Sequence, residues 1–579
     1  MKSILKELTE ELSEAFVKAG YESHYGKVTM SNRLDIADYQ CNGALVAAGQ
    51  YKKAPYLIAE DVAVILKEKY YVEVVKPGFI NIKLDDEYLG ELVNTMAKDD
   101  HLGVEVMVQQ SVIIDYGGPN IAKPLHVGHL RSAIIGESIK RIYKFLGHDI
   151  VGDIHLGDWG LQIGLVIEEL KRMYPDLCYF DDEFEGIYPK DAPFTIDQLS
   201  EIYPLASMKS KKDKSYLEAA RENTVKLQNN HKGYQAIWQH ISTVSIKDLK
   251  KNYANLNVYF ELWNGESHCM SEIPEVIDIL TQKKLMHEDN GAMIVDVSVT
   301  EDKRPMPPFI ALKSDGAALY STTDLTTIYQ RVNGKPLSEI IYVVDKRQEL
   351  HFEQVFRCAR KADIVTDEIS LNFIGFGTMN GKDGKPFKTR DGGIMKLDDL
   401  VQLLRQSVKN KIFQGRDDYE DDLIDDIAIK VGLAALKYGD LINISTKDYI
   451  FDLDRFATFE GKTGPYILYS IVRIKSILAK SEEFTHEIDF AVTKTERMIH
   501  LKLLSFDSMI HQAYYDKAPN KICEYAFELS NMFNRFYHET KILADNNCHR
   551  DSHLTLLNLI MDVLEKCLDL LGIDSLDKM

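Results

Sequence analysis

The chain has 579 residues, with 69 Lys and Arg against 89 Asp and Glu, a formal net charge of -20, and 45% hydrophobic residues. At about 150 residues per domain this length predicts roughly three to four domains, and the composition excludes disorder, collagen-like repeats and small disulfide scaffolds. The acidic balance excludes a generally basic nucleic-acid coat, so any contact with a nucleic acid has to be local.

The opening MKSILKELTEELSEAF alternates charge with apolar residues at helical spacing and lacks the apolar core of a signal peptide, so it reads as a surface helix. No window approaches the ~18 consecutive apolar residues of a membrane span. The seven cysteines (41, 178, 269, 358, 523, 548, 567) are scattered and never two or three residues apart, which predicts free thiols in a cytosolic chain, with no protein-bound zinc. Residues 1–105 read as a small α+β domain: a helix over 3–18, a polar segment RLDIADYQCNGAL, another helix, and YVEVVKPGFINIKL as two β-rich pieces around a Pro77-Gly78 turn. A new pattern starts at SVIIDY (111–116), followed by Gly117-Gly118-Pro119-Asn120 and then a helical period in Ile135, Ile139, Ile142 and Leu146, with Gly147 as the stop. Strand, turn, helix and stop open a βαβ unit, and DIVGDIHL supplies the next strand.

From about 165 to 265 the spacing is helical, with DDEFEG and KSKKDK as solvated charge runs. Beyond 290, AMIVDVSV, PFIALKS, EIIYVVD and LNFIGFG are strand candidates, so the sheet is expected to resume after a helical insertion. Residues 398–454 read as a helical connector, and 455–579 as an all-α C-terminal bundle with stripes such as YILYSIVRIKSILAK and EYAFELSNMFNRFYHETKIL.

The chemistry concentrates in Asn120-Ile-Ala-Lys123-Pro-Leu-His126-Val-Gly128-His129, between the strand and the helix. A helix start at the carboxyl end of a parallel strand gathers donors where phosphates bind. His126, His129 and the Lys123 ammonium are placed there to stabilise a triphosphate attacked at its α-phosphorus, and Gly128 leaves room for a flat adenine. After LNFIGFG comes Gly384-Lys385-Pro-Phe-Lys388-Thr389-Arg390-Asp-Gly-Gly, a glycine-flanked loop carrying three cations, which composition alone reads equally well as an exposed basic turn.

The histidine motif is the signature of class I aminoacyl-tRNA synthetases and their nucleotidyltransferase relatives. With DYGGPNIAKPLHVGHLRSAIIGESIKRIYKFLGHDI, HLGDWGLQIG, KPGFINIKL, ELWNGES, LYSTTDL, YVVDKRQELHFEQVF and FDLDRFATFEGKTGPYILYSIVRIKSIL, the chain resembles arginyl-tRNA synthetases of the bacterial kind over nearly its whole length.

The resemblance implies a Rossmann-like catalytic domain over 106–397 with the helical insertion at about 165–265, an N-terminal tRNA-contacting domain over 1–105, and an anticodon-binding bundle over 455–579. It implies ATP-dependent activation of L-arginine to the adenylate, with Mg²⁺ accompanying the nucleotide, and transfer to the 2′-hydroxyl of the terminal adenosine of tRNA(Arg). The catalytic set would be Lys123, His126, His129, Lys385, Lys388 and Arg390; ATP would lie on His126, Gly128, His129 and Lys388. The loop has Thr389 where the family's KMSKS has its second lysine, so Lys123 is a substitute for that cation. Tyr320 and Asp324, four apart in a helical segment, would hold the guanidinium, with Gln348, Asn120 and Asp115 on the rest of the amino acid. A polar side chain read by hydrogen bonds needs no editing domain, in keeping with the modest insertion. Contact of Asp38, Tyr39 and Asn42 with the tRNA elbow, and of Tyr466, Tyr469, Phe536 and Tyr537 with anticodon bases, follows from the resemblance; the region 455–579 has 15 Lys and Arg against 18 Asp and Glu and is not basic. A cytoplasmic monomer without membrane contact is the expectation. The rivals are a relative with another acceptor, and a catalytically silent tRNA-binding protein.

Overall fold

The computed structural model describes residues 3–579 apart from 32, 34, 35, 68, 315, 386, 388–394, 413–419, 482, 483, 485, 486 and 545–547. The chain separates into two compact units, 1–107 with 408–442 and 454–579, and 108–407 with 443–453. Among the described residues no helix is long and apolar enough to cross a membrane.

The first unit opens with α1 (Ile4–Lys18), whose Ile4, Leu8, Leu12, Ala15 and Phe16 repeat at one helix face and are buried. It packs on a four-stranded antiparallel sheet of β1 (Val28–Met30), β2 (Tyr39–Cys41), β3 (Tyr71–Val75) and β4 (Phe79–Lys83), with α2 (Gly43–Tyr51) and α3 (Pro55–Leu66) inserted between β2 and β3. The β3–β4 hairpin turns at Pro77-Gly78, as the dipeptide predicted. The helix α4 (Asp86–Ala97) starts where the Asp85 carboxylate accepts from the amides of Glu87 and Tyr88.

The second unit is built on a parallel sheet of order β11-β10-β5-β6, from β5 (Ser111–Tyr116), β6 (Asp149–Asp153), β10 (Glu339–Asp345) and β11 (Ser370–Phe376). The crossover from β5 to β6 is α5 (Val127–Phe145), in which Ile135, Ile139 and Ile142 are buried as the period predicted, and Gly147 at φ 91° ends it. The insertion is four helices: α6 (Leu161–Met173), α7 (Ile196–Lys212), α8 (Lys214–Gln228) and α9 (Lys232–Asn255). Then α10 (Ile273–Gln282), α11 (Tyr320–Gly334) and α12 (Glu349–Lys361) contribute Val276, Leu280, Leu325, Ile328, Phe352 and Val355 to one apolar core with Ile113 and Ile340 of the sheet.

One expectation is corrected. AMIVDVSV and PFIALKS do not resume the parallel sheet: β7 (Met286–Asp289), β8 (Ala292–Val295) and β9 (Phe309–Leu312) form a separate antiparallel sheet. The reason is the turn between β7 and β8, where Asn290 and Gly291 take φ 50° and 83°, the two-residue hairpin geometry that joins antiparallel neighbours. The second unit closes with β12 (Met379–Asn380) paired in parallel with β13 (Tyr449–Ile450).

Between them α13 (Leu397–Ile412) and α14 (Asp421–Leu441) occupy the stretch read as a helical connector, and the first unit ends in α15 (Leu453–Phe456), α16 (Gly464–Leu478), α17 (Lys494–Leu504), α18 (Phe506–Tyr515), α19 (Asn520–Glu539) and α20 (Arg550–Leu570). These helices are tied to the N-terminal sheet across hundreds of residues of chain. Asn94 and Ile488 exchange hydrogen bonds of 2.7 and 2.8 Å, and Arg497 of α17 donates to the Asp38 carboxylate at 2.7 Å and to the Leu84 carbonyl at 2.8 Å.

Candidate active site at the carboxyl ends of the parallel strands

The two histidines are locked by the helix they begin. His126 caps α5: the Gly128 amide donates to its Nδ1 at 3.1 Å, and the His126 amide in turn donates to Nδ1 of His129 at 3.2 Å. With both Nδ1 atoms accepting, the protons of two neutral rings sit on Nε2, so each ring offers an N–H beside the positive end of the helix. Burial, reinforced by the neighbouring ring, pushes His129 down to about 3, and burial with the Lys123 charge lowers His126. Both are neutral donors at physiological pH. A Cβ on Gly128 would lie 2.8 Å from the His126 ring, so this glycine is needed for the histidine's own geometry before any question of adenine.

The rings border a cavity of about 420 Å³ whose other walls include Arg131, Asp345, Arg347, Phe376 and Phe387. Arg131 runs from α5 to donate to the carbonyls of Gly377 at 2.7 Å and Lys447 at 3.1 Å, fixing one wall. The Ser132 hydroxyl accepts from the Gly117 amide at 2.8 Å and donates to the Val343 carbonyl at 2.6 Å, joining the turn after β5 to β10. Neither residue stands out in sequence, because their carbonyl partners are main-chain groups far along the chain.

The acidic niche forms at the start of α11. Tyr320 and Asp324 share a face, and His351 of α12 meets both: its Nε2 lies 2.6 Å from the Asp324 carboxylate, and its ring stacks on Tyr320 at 4.7 Å between centroids. A further carboxylate, Glu266, is pushed up to about 7 by burial and by the charges of Asp324 and Asp158. Asp158 accepts from the Ser267 amide at 2.9 Å and hydroxyl at 2.6 Å, which holds the 265–268 turn in place. Glu266 was missed from sequence although ELWNGES was singled out, since nothing local announces that this glutamate faces Asp324. Asn120 is half-buried and packs against Gly157, where a Cβ would come 2.0 Å from its Oδ1. Gln348, also half-buried, sits between Arg347 and His351.

Asp115 has a different environment from the one expected. Strand register places Tyr342, Asp115 and Asp153 in one row across β10, β5 and β6, and Arg331 of α11 reaches all three at 3.0, 2.6 and 2.7 Å. The Asp115 carboxylate is buried and already engaged by an internal guanidinium. Removing either partner of such a buried pair costs about 3–5 kcal/mol.

Of the loop cations, Lys385 is exposed in a turn closed by the Gly381 amide on its carbonyl at 2.8 Å, while Lys388 and Arg390, with Thr389, lie outside the described residues. The flanks on either side meet the histidine region: Phe387 walls the cavity, and the amides of Val127 and Leu397 bond the carbonyls of Met395 and Leu125. Lys123, half-buried, lies with its ammonium 4.3 Å over the ring of Tyr203.

Among the residues given to RNA, burial corrects three. Asp38 and Tyr39 are 1% and 2% exposed, Asp38 serving as the anchor of Arg497, and Phe536 is wholly buried with its edge on His553. Asn42 is exposed, and Tyr466 is half-buried with its hydroxyl donating to Asn531. Tyr469 and Tyr537 are exposed and flank the Arg473 guanidinium, 4.6 and 5.1 Å from their centroids, a cationic aromatic surface of the kind that stacks unpaired bases.

Residues 91–453 match the family model for tRNA synthetases class I (R), catalytic domain; residues 467–579 match the DALR anticodon binding domain, and residues 2–84 the arginyl tRNA synthetase N terminal domain. The chain is 52% identical to an arginine–tRNA ligase of Alkaliphilus oremlandii over the whole of both chains, and 42% identical to one of Francisella tularensis over 99% of each. Its fold is similar to the arginyl-tRNA synthetase of Plasmodium falciparum, with a TM-score of 0.82 at 27% identity over the whole of both chains.

Proposed function

The chain belongs to the arginyl-tRNA synthetase family, and on that premise we propose which of its residues carry each part of the reaction. It is an arginine–tRNA ligase: the carboxylate of L-arginine attacks the α-phosphorus of ATP, pyrophosphate leaves, and the arginyl group passes to the 2′-hydroxyl of the tRNA terminal adenosine.

In our reading, the Nε2–H groups of His126 and His129 donate to the phosphate oxygens as charge builds at the pentavalent centre, and neither ring is a nucleophile. Lys123, Lys385, Lys388 and Arg390 neutralise the departing pyrophosphate. The observation that carries this reading is a single segment bordering both halves: Asp345 and Arg347 wall the histidine cavity, while His351, six residues after Asp345, bonds Asp324. An arginine whose guanidinium is held by Tyr320, Asp324 and Glu266 then points its carboxylate along that segment toward the phosphates. Asn120 and Gln348 flank the amino-acid backbone. Asp115 acts through the Arg331 clamp, as a support for α11.

Mg²⁺ enters with the nucleotide. Asp345 is the one carboxylate among the described cavity residues, and it already binds Arg347, so the ion would be held chiefly by phosphate oxygens and water, the usual habit of Mg²⁺, where it screens triphosphate charge. For tRNA(Arg), the Tyr469–Arg473–Tyr537 surface takes anticodon bases and Asn42 the elbow. We assign the enzyme to the cytoplasm, a reading supported by its free thiols, and propose that it acts as a monomer. We further propose that bound tRNA is required before the adenylate forms.

The test is arginine-dependent pyrophosphate exchange and aminoacylation, screened against twenty amino acids with and without tRNA. Exchange with arginine alone, and only with tRNA present, is the expected result. Exchange at full rate without tRNA would remove the tRNA requirement, and promotion by another amino acid would overturn the assignment of the niche.

A further inference from the structure

The lysine that precedes the histidine pair is held by the helical insertion at two points. The Ala122 amide, at a residue with φ 61°, donates to the Ser245 hydroxyl of α9 at 2.9 Å. One residue on, the Lys123 ammonium sits 4.3 Å over the ring of Tyr203 in α7. Among the described residues no carboxylate lies within 4.0 Å of this ammonium, unlike Lys140 and Lys144 on α5, which pair with Glu137 and Glu261. Tyr203 is followed in mid-helix by Pro204, which has no amide hydrogen to give the carbonyl one turn back, so α7 is weakened at the residue that touches Lys123.

A carboxylate partner would neutralise the ammonium and compete with phosphate for it. An aromatic face attracts the cation through its quadrupole, leaves the charge intact, and keeps the N–H groups on the far side free for an anion. The ammonium held in this way is close enough to the histidines for its charge to lower both.

We propose that Tyr203 is a positioning residue for adenylate formation, whose ring holds the uncompensated Lys123 ammonium in register with the histidine pair. This rests on the reading of Lys123 as the cation that substitutes for the altered loop. It gives the insertion, through α7, a part in activation.

The test uses the full-length enzyme with tRNA, reading kcat and KM in arginine-dependent pyrophosphate exchange. Tyr203→Leu, which keeps bulk and loses the π face, should lower kcat about five- to twentyfold with arginine KM unchanged, and Tyr203→Phe should restore it to within about twofold of the native rate. In a Lys123→Ala background, already slower than Tyr203→Leu, adding Tyr203→Leu should cost nothing further. A loss from Tyr203→Leu that persists in the Lys123→Ala background would mark a structural effect and overturn the proposal, as would a Phe variant no better than Leu. Full activity of Tyr203→Leu beside an impaired Lys123→Ala would overturn the role of Tyr203 alone. Full activity of Lys123→Ala would overturn the reading of the lysine itself.

Discussion

At the start of α5 two imidazoles are held by main-chain amides, whereas at the start of α11 the Asp324 carboxylate is held by the His351 side chain, and the turn that carries Glu266 by the Asp158–Ser267 pair. The first arrangement is neutral, and with His129 titrating only near 3 it keeps its donors through the whole physiological pH range. The second gathers repelling acids, one of them raised to about 7, and so stays responsive to pH and to an arriving cation. On the proposed reading, the donors that meet charge developing in a transition state are fixed before it forms, whereas the acids that select the substrate keep their response to an arriving cation.

The largest effect should fall on the fixed half. His129→Ala is expected to slow pyrophosphate exchange by about 10² to 10³, the usual loss for one transition-state donor; a change below threefold would show that the ring only caps the helix. In the responsive half, Asp324→Asn should raise the arginine KM by about 10- to 100-fold, the worth of a charge-assisted hydrogen bond, with the KM for ATP little altered. Equal effects on both substrates would dissolve the distinction between the two regions.

The pH behaviour sharpens it further. Glu266 is ionised above about 7, and only the ionised form attracts a guanidinium, so arginine binding is strengthened as pH rises through that value and weakened as pH falls. Between pH 8 and pH 6 the native arginine KM should rise about tenfold while the KM for ATP stays flat, and Glu266→Gln should lose the trend. A native profile that is flat for arginine would detach Glu266 from the niche. The smallest effect is expected from Arg347→Ala: its exposed side chain already pairs with Asp345, and surface pairs of this kind contribute little, so exchange should change by less than about threefold.

Local pattern carried much of this arrangement. The SVIIDY strand, the turn after it, the buried isoleucines of α5 and the HxGH motif follow from periods of two and 3.6 and from capping rules, all readable within some thirty residues. The Tyr320 and Asp324 pair was legible for the same reason, being one helical turn apart. Asp115 was not, because its partner Arg331 is 216 positions away and only the sheet register brings them together. Phe536 and Tyr537 show the same limit on a smaller scale. They are adjacent and both aromatic, yet packing against α20 buries the first and leaves the second exposed, and sequence spacing alone cannot say which face of α19 is covered. The β7–β8 hairpin was readable from Asn290-Gly291, whose turn chemistry outranks the β-rich composition around it.

The Arg331 clamp gives the protein a built-in mimic of its own substrate. Two aspartates at the strand ends are engaged by a tethered copy of the group that we propose Asp324 and Glu266 take, so free arginine finds no unpaired decoy in that pair. A lysine at position 331, with one point charge in place of a fork, would leave one of those aspartates unsated and offer the incoming amino acid a second, unproductive berth.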